Sequence, residues 1–401
     1  MKVRQELSAK EVEQMHAGLA RRLGDSSVPT LPQVAVKIVE LIGNPNSTVN
    51  QFADVIKTDQ ALTGRLLRLS NSAMFAQRQP VTTLQRAMVL IGMEKLKALA
   101  LGFHLSRAMA ACEGPFSLKR LWTQSLFRAW LALHIAETLD KRVSGEAFIV
   151  GLLSDVGVAV MPKLIGDEYA AKVSPNEPPQ KQYLNEMRTL PHTHVDVSSV
   201  LAKVWKLPEV LSRPISMHHS PAQPASKDDP ATILHATAHY VGTIALDPAC
   251  ECFEPSTPGL SERLFGLDSA AMKGLLDRTR VAFRGSRDIF SHMLDPSMTV
   301  DSIVEKASGQ IEADDDVVDQ AVETEWSPRK FHAAGLVFEL QPGPQKRVTA
   351  FISDEEGNRL VAEEIDPNAD SEAKIREKLL LEDAKPEDVK QIMRGIRALA
   401  A

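Results

Sequence analysis

Disulfide chemistry has little to work with here. The chain holds three cysteines, Cys112, Cys250 and Cys252, and a stapled framework needs a larger, even set. No second Cys/His pair stands at finger-like spacing from Cys250 and Cys252, so the three read as free thiols of a reducing cytosol. Basic clusters are missing too. Lys and Arg number 46 against 52 Asp and Glu, net charge -6, and without a basic stripe extended nucleic-acid binding is disfavoured. The opening MKVRQELSAKEVEQ lacks the apolar core of a secretion signal. No run of about 18 uncharged apolar residues occurs, so no membrane span is expected. Met88–Leu101 comes nearest, but Glu94, Lys95 and Lys97 interrupt it. These absences leave a cytoplasmic globular protein, and 401 residues with 44% hydrophobic content suffice for two or three domains.

What is present is helical periodicity. Ser8 and Glu11 have capping-box spacing and open a helix ending near Gly24. After the loop SSVPTLP, the apolar residues Val34 to Leu41 fit a second helix. Ser47 or Thr48, Asp59, and Thr82 or Thr83 can cap the next three, and Gly92 breaks the last of these. Longer helices are expected over 93–111 and 117–140, then over 146–160, 181–190, 194–205, 208–217 and 228–243. Trp122, Trp130 and Trp205 read as core. Residues 260–305 are helical but less patterned.

Between Gln310 and Trp326 the chain carries seven acids and no base, the signature of a solvated linker. The period then changes to that of strands, at Ala334–Leu340, Arg347–Ser353 and Arg359–Ile365, separated by the turns QPGPQ and DEEGN. A helix from the Pro367–Asp370 segment to about Glu382 follows, and Pro386 suits the start of a last one. The expected architecture is an all-α domain followed by a small α+β domain. Its divisions are an N-terminal helix (1–25), the main helical domain (26–245), a helical extension (246–307), the acidic linker (308–328) and the α+β domain (329–401). The last has no Gly-rich phosphate loop and no acid/His/Cys cluster.

Histidine and one carboxylate carry what chemistry can be read. Asp155 lies in the apolar stretch GLLSDVG, where an unpaired charge would be costly. His192 and His194 open one expected helix, His218 and His219 follow another, and His235 and His239 share a face at i,i+4. With Asp155 these offer an oxygen/nitrogen ligand set for Mn, Fe or Zn. Histidines on amphipathic helices are more often half-buried rings bonded to backbone carbonyls. In DQALTGRLLRLSNS, Asp59 can cap its helix and Asn71 can close it, or either can touch a ligand.

These residues resemble a known family. LPQVAVKIVELIGNPN, FADVIKTDQALTGRLLRLSNSAMF, TLQRAMVLIGMEKLKALAL, LWTQSLFRAW, EAFIVGLLSDVG, HTHVDVSSVLAKVWKLP and ISMHH are together similar to the HDOD domain, a relative of the HD and HD-GYP metal-dependent phosphohydrolases. One departure is Gln60, where the family commonly has Pro. The resemblance implies an HD-like fold and a role in bacterial signal transduction, beside two-component or cyclic-dinucleotide proteins. It also implies a dismantled centre. Where the enzymes have a metal-binding His-Asp pair, this chain has Ser154-Asp155. An earlier ligand His matches Gln124, and a late Asp matches His239. An alcohol and an amide do not replace imidazole at a transition metal. The expectation is therefore no enzyme, no cofactor and no metal, with partner proteins or a signalling nucleotide bound around Asp155, Ser154, Gln124, His194, His218, His219, His239, Asp59 and Asn71. If any metal were held, its ligands would be Asp155, His194, His218 and His219. A degenerate phosphohydrolase acting on a nucleotide or cyclic dinucleotide is the competing reading.

Overall fold

The structure is a computed structural model. It describes residues 2–25, 32–109, 117–250 and 259–322 apart from positions 45, 73, 74, 76–78 and 175. Beyond these it describes 329–333, 336–342, 347–354, 359–366, 370–379, 381, 385, 389, 390, 392, 393 and 396. Cys112, Cys252, Pro386 and most of the segments SSVPTLP, QPGPQ and DEEGN lie outside the described residues. The chain divides into two compact units, Met1–Val318 and Asp319–Ala401.

The first unit is helical throughout. Its helices are α1 (Ala9–Asp25), α2 (Gln33–Gly43), α3 (Val49–Lys57), α4 (Gln60–Ser70), α5 (Leu84–Ile91) and α6 (Met93–Met109). Next come α7 (Leu118–Leu139), α8 (Ser144–Leu153), α9 (Met161–Ile165), α10 (Asp167–Lys172), α11 (Pro179–Thr189) and α12 (His194–Val204). The last are α13 (Glu209–Met217), α14 (Pro230–Thr243), α15 (Leu260–Phe265), α16 (Ser269–Phe290) and α17 (Val300–Val322). Side-chain caps account for many of the starts. Thr48, Asp59, Thr83, Ser117, Thr193 and Asp268 each accept a backbone N–H from the first turn of the following helix, which removes one of the orphan donors there. Gly92, at φ 91°, ends α5 in a conformation that favours glycine.

α7 is the axis of this unit. Its residues are buried from Leu126 through Ala136 without a break, so helices surround it on every side. α8, α14 and α16 all pack on it, and Trp130 donates from Nε1 to Ser286 Oγ on α16 at 2.8 Å. Trp122, Trp130 and Trp205 are buried, as the sequence suggested.

Three sequence expectations change. The helix expected over 146–160 stops at Leu153, and a 3₁₀ turn, Val156–Ala159, follows it. Asp155 falls in the break, at φ -93° and ψ 12°. Lys141–Ile165 is apolar and long enough by composition to span a membrane, yet this break divides it and most of its apolar stretch is buried inside the unit. The extension 246–307 is not separate: Leu264, Met272, Phe283, Phe290, Ile303 and Ala307 belong to the same core cluster as α7. The acidic run is helical to Val322, as the end of α17. Ile303, Val304, Ala307 and Ile311 anchor that helix in the core, and a nucleated helix propagates at little further cost.

The second unit is a four-stranded antiparallel meander, β1 (Arg329–Ala333), β2 (Leu336–Pro342), β3 (Val348–Asp354) and β4 (Arg359–Ile365), followed by α18 (Glu372–Lys378). β1 is one strand more than the sequence suggested. It is short and polar, and it is held by pairing with β2 from Arg329↔Leu340 to Ala333↔Leu336. Phe338, Leu340, Val348, Ala350, Ile352 and Ile365 share a core with Ile375, Leu379, Val389 and Ile392. The alternation along β2 and β3 turns one face of the sheet to these helical residues.

Buried rings make the first unit acid-sensitive. Burial, with the charges of Arg278 and Lys95, pushes His134 down to about 3, so the ring stays neutral in the folded protein. The unfolded chain takes up that proton near ~6.5. The contribution is whole above about pH 6.5 and is lost toward pH 3, at no more than about 1.4 kcal/mol per pH unit. Urea denaturation across this range is expected to show a falling limb, and His134→Gln is expected to flatten it.

Candidate functional site

Four segments meet around Asp155. Helix α8 brings it down beside α7, and glycines allow the close approach. An added Cβ at Gly151 would stand 2.9 Å from the Arg128 carbonyl oxygen, and one at Gly157 would run into the His194 carbonyl oxygen. Ser198 Oγ ties the break down, accepting from Gly157 N at 2.9 Å and donating to Ser154 O at 2.8 Å. In GLLSDVG the glycines therefore seat the turn, and the turn points the carboxylate inward.

Asp155 is 8% exposed, and its two oxygens have different partners. Oδ2 accepts from Arg128 Nη1 at 2.5 Å. The guanidinium is fixed in turn by donation from Nε to Val241 O at 3.0 Å. Oδ1 faces His218 Nε2 at 3.3 Å and His194 Nε2 at 3.7 Å. Burial opposes ionisation of Asp155, but the Arg128 charge and the His218 hydrogen bond outweigh it and hold the carboxyl well below the usual range.

Each of the three histidines has one ring nitrogen committed. His194 Nδ1 lies 2.7 Å from Glu186 Oε2, whose other oxygen accepts from Tyr169 OH at 2.9 Å. His218 Nδ1 donates to Ile215 O at 2.7 Å. His219 Nδ1 is 2.9 Å from Gln180 Oε1, and its ring stacks on Tyr183 at 4.7 Å. The remaining nitrogens turn toward one another. His194 Nε2 and His218 Nε2 are 3.4 Å apart, and His219 Nε2 is buried without a hydrogen-bond partner. One ligand atom from each of Asp155, His194, His218 and His219 lies within 4.8 Å of the others. Burial lowers His194, but the charge and hydrogen bond of Glu186 raise it above the ordinary imidazole value overall. Burial, with His218 and His194 beside it, pushes His219 well below that value.

The other residues singled out in the sequence lie elsewhere. Ser154 Oγ donates back to Val150 O at 2.8 Å and turns away from the cluster. Gln124 donates to Asp247 Oδ2 at 3.1 Å, on a carboxylate that Arg120 also clamps. His239 Nδ1 is 3.2 Å from His218 O, and His235 Nε2 is 3.2 Å from Met217 O. The i,i+4 pair thus shares a face, as its spacing suggested, but serves the last carbonyls at the end of α13. Burial pushes His239 to about 4. Asp59 caps α4 through Leu62 N at 2.9 Å. Asn71 holds the chain at Val81, accepting from its N at 2.7 Å and donating to its O at 2.9 Å. Both have structural work and lie outside the Asp155 cluster.

The sequence reading missed Arg128, Glu186 and Gln180. A signal for Arg128 was there: it stands one helical turn after Gln124 and is the one charged residue in the buried stretch from Leu126 to Ala136. The ligand positions implied by the metal-dependent relatives do not fit a metal here, because Ser154 and Gln124 are bonded away from Asp155. The different set of Asp155 and three histidines does fit by donor chemistry.

Residues 28–221 match the family model described as the HDOD domain. An uncharacterized protein of Treponema pallidum (strain Nichols) is 26% identical over 215 residues, 52% of this chain and 40% of that protein. The chain thus spans less than half of that relative. The crystal structure of an HDOD domain protein of unknown function from Geobacter sulfurreducens is similar at 23% identity and TM-score 0.51, over 69% of this chain and 99% of that one. A structure from Shewanella amazonensis SB2B is similar at 20% identity and TM-score 0.47, over 74% and 98%.

The ion pair sets a double-mutant test. Arg128→Ala leaves a buried carboxylate without its main counter-charge and is expected to cost about 3–5 kcal/mol in chemical denaturation. Replacing both partners, Arg128→Met with Asp155→Leu, is expected to cost less than Arg128→Ala alone.

Proposed function

We propose that this chain, whose residues 28–221 match the HDOD family model, is a non-catalytic regulatory module of bacterial signal transduction. It acts in the cytoplasm by contact with partner proteins, members of two-component or cyclic-dinucleotide pathways, rather than by chemistry. One observation carries this reading. The carboxylate that the related phosphohydrolases give to a metal is held here by Arg128 at 2.5 Å. A guanidinium supplies positive charge to Asp155 but has no open position at which to activate water.

Further features support it. Ser154 and Gln124 are engaged away from the carboxylate. Asp155, His194, His218 and His219 are all buried, which counts against direct contact with a phosphate ester. The second compact unit, 319–401, has its own core and adds a separate surface for a partner.

A second reading, hydrolysis of a nucleotide or cyclic dinucleotide at a metal, draws on the convergence of three imidazoles on Asp155. The two readings part in one assay. The full chain, loaded with Mn(II), Fe(II) or Zn(II), is incubated with bis-p-nitrophenyl phosphate and with cyclic dinucleotides. The regulatory reading expects no turnover above a metal-only blank. Turnover abolished by Asp155→Asn would overturn it.

A further inference from the structure

We propose that Arg65, Arg68 and Arg107 form a surface site for a phosphate dianion, carried by a small phosphorylated metabolite or free in solution. The site lies where α4, α6 and the end of α16 meet, and it uses none of the residues of the Asp155 cluster. Its centre is the ring of Phe103 on α6, which is buried. The guanidinium carbon of Arg65 stands 5.2 Å from the centroid of that ring, and that of Arg107 stands 5.5 Å from it. His292, just beyond α16, makes a T-shaped contact with the same ring at 5.6 Å. Two cations and an imidazole thus share one aromatic side chain.

Packing accounts for only one of these arginines. Arg65 Nη1 donates to Asp288 O at 2.7 Å and to Ile289 O at 2.5 Å, which closes the end of α16. Arg107 has no such task. It is exposed, and among the described residues it makes no hydrogen bond or ion pair. A guanidinium lying over an aromatic face keeps its N–H donors, which lie in its own plane, for other partners. Arg68 stands three residues after Arg65 on α4, so the two are neighbours on the helix surface. It too is exposed and without an ion pair among the described residues. The charges oppose one another. Burial lowers Arg65 from the ordinary guanidinium value, and Arg68 and Arg107 lower it further. Burial, with Arg65 and Arg107, pushes His292 down to about 4. The nearby acids do not cancel this field: Asp288 and Asp59 act on Arg65 less strongly than the two arginines do, and Asp59 is spent on capping α4. In a chain of net charge -6, an open surface that gathers like charges concentrates anions there. The forked donors of guanidinium match the oxygens of phosphate. A phosphate monoester carries about two charges near neutral pH, so it answers two arginines where a carboxylate answers one.

The test is calorimetric titration of the full chain with inorganic phosphate in a phosphate-free chloride buffer. The expected result is saturable binding of one phosphate per chain. Arg107→Ala and Arg68→Ala, each checked by circular dichroism for native helix content, are expected to weaken it at least ~10-fold, the loss of one charge-assisted contact. Arg21→Ala removes an exposed cation from α1 and is expected to leave binding unchanged. A second arm replaces phosphate with adenosine 5′-monophosphate. Tighter binding of the ester assigns the site to a phosphorylated metabolite, and equal or weaker binding assigns it to free phosphate. Absence of saturable binding overturns the proposal. So does binding that survives either Arg107→Ala or Arg68→Ala, or that is lost in Arg21→Ala. The result is separable from that of the hydrolysis assay, which reads Asp155.

Discussion

A carboxylate inside a helical bundle has to be matched by positive charge or surrendered to a proton, and in this chain Arg128 does the matching. The pair sits between α7 and the break after α8, with the guanidinium also held by the Val241 carbonyl of α14. Three elements of the central packing are thereby locked to one another. Interior ion pairs are poor sources of net stability, because desolvating both charges offsets their attraction. Their value lies in specificity: any rearrangement that separates the two leaves an uncompensated charge.

The backbone around the pair is shaped for this contact. Gly151 lets α8 lie against α7, and Gly157 lets the following turn lie against the start of α12. Ser198 then bonds to both sides of Asp155 along the chain. At the other end of the cluster, Glu186 on α11 accepts from the backbone N–H of His194 at 2.7 Å and also meets its ring. Burial and the charge of Glu186 push Tyr169 well above the ordinary phenol value, which keeps it a hydrogen-bond donor to that carboxylate. The result is a layered polar core in which acidic groups alternate with donors, as buried charge requires.

Ser154 and Gln124 both have bonded partners. The serine satisfies a helical carbonyl, and the glutamine joins Arg120 on Asp247. The imidazoles from α12 and the end of α13 converge on Asp155.

Much was legible in the residues before any coordinates. The caps at Thr48, Asp59 and Thr83 announced helix starts, because a side-chain oxygen beside an apolar stripe has a local use there. The change of period near residue 330 announced the sheet. Asp155 and the three histidines were candidates by chemical type alone. Tertiary structure decided the rest. The helix over 146–160 reads as continuous because its apolar pattern is unbroken, and its end at Leu153 follows from what Asp155 must reach. Arg128 looked like one more helical arginine until the fold placed it 2.5 Å from a buried acid. Strand β1 exists through its backbone pairing with the neighbouring β2, which its own short polar sequence does not announce. The sequence by itself thus determined which segments are helices or strands and which residues are able to carry chemistry, since propensity, capping and donor type are local properties. Which of those residues meet was settled by packing alone, because charge pairing and ligand geometry depend on distances between segments far apart in the chain.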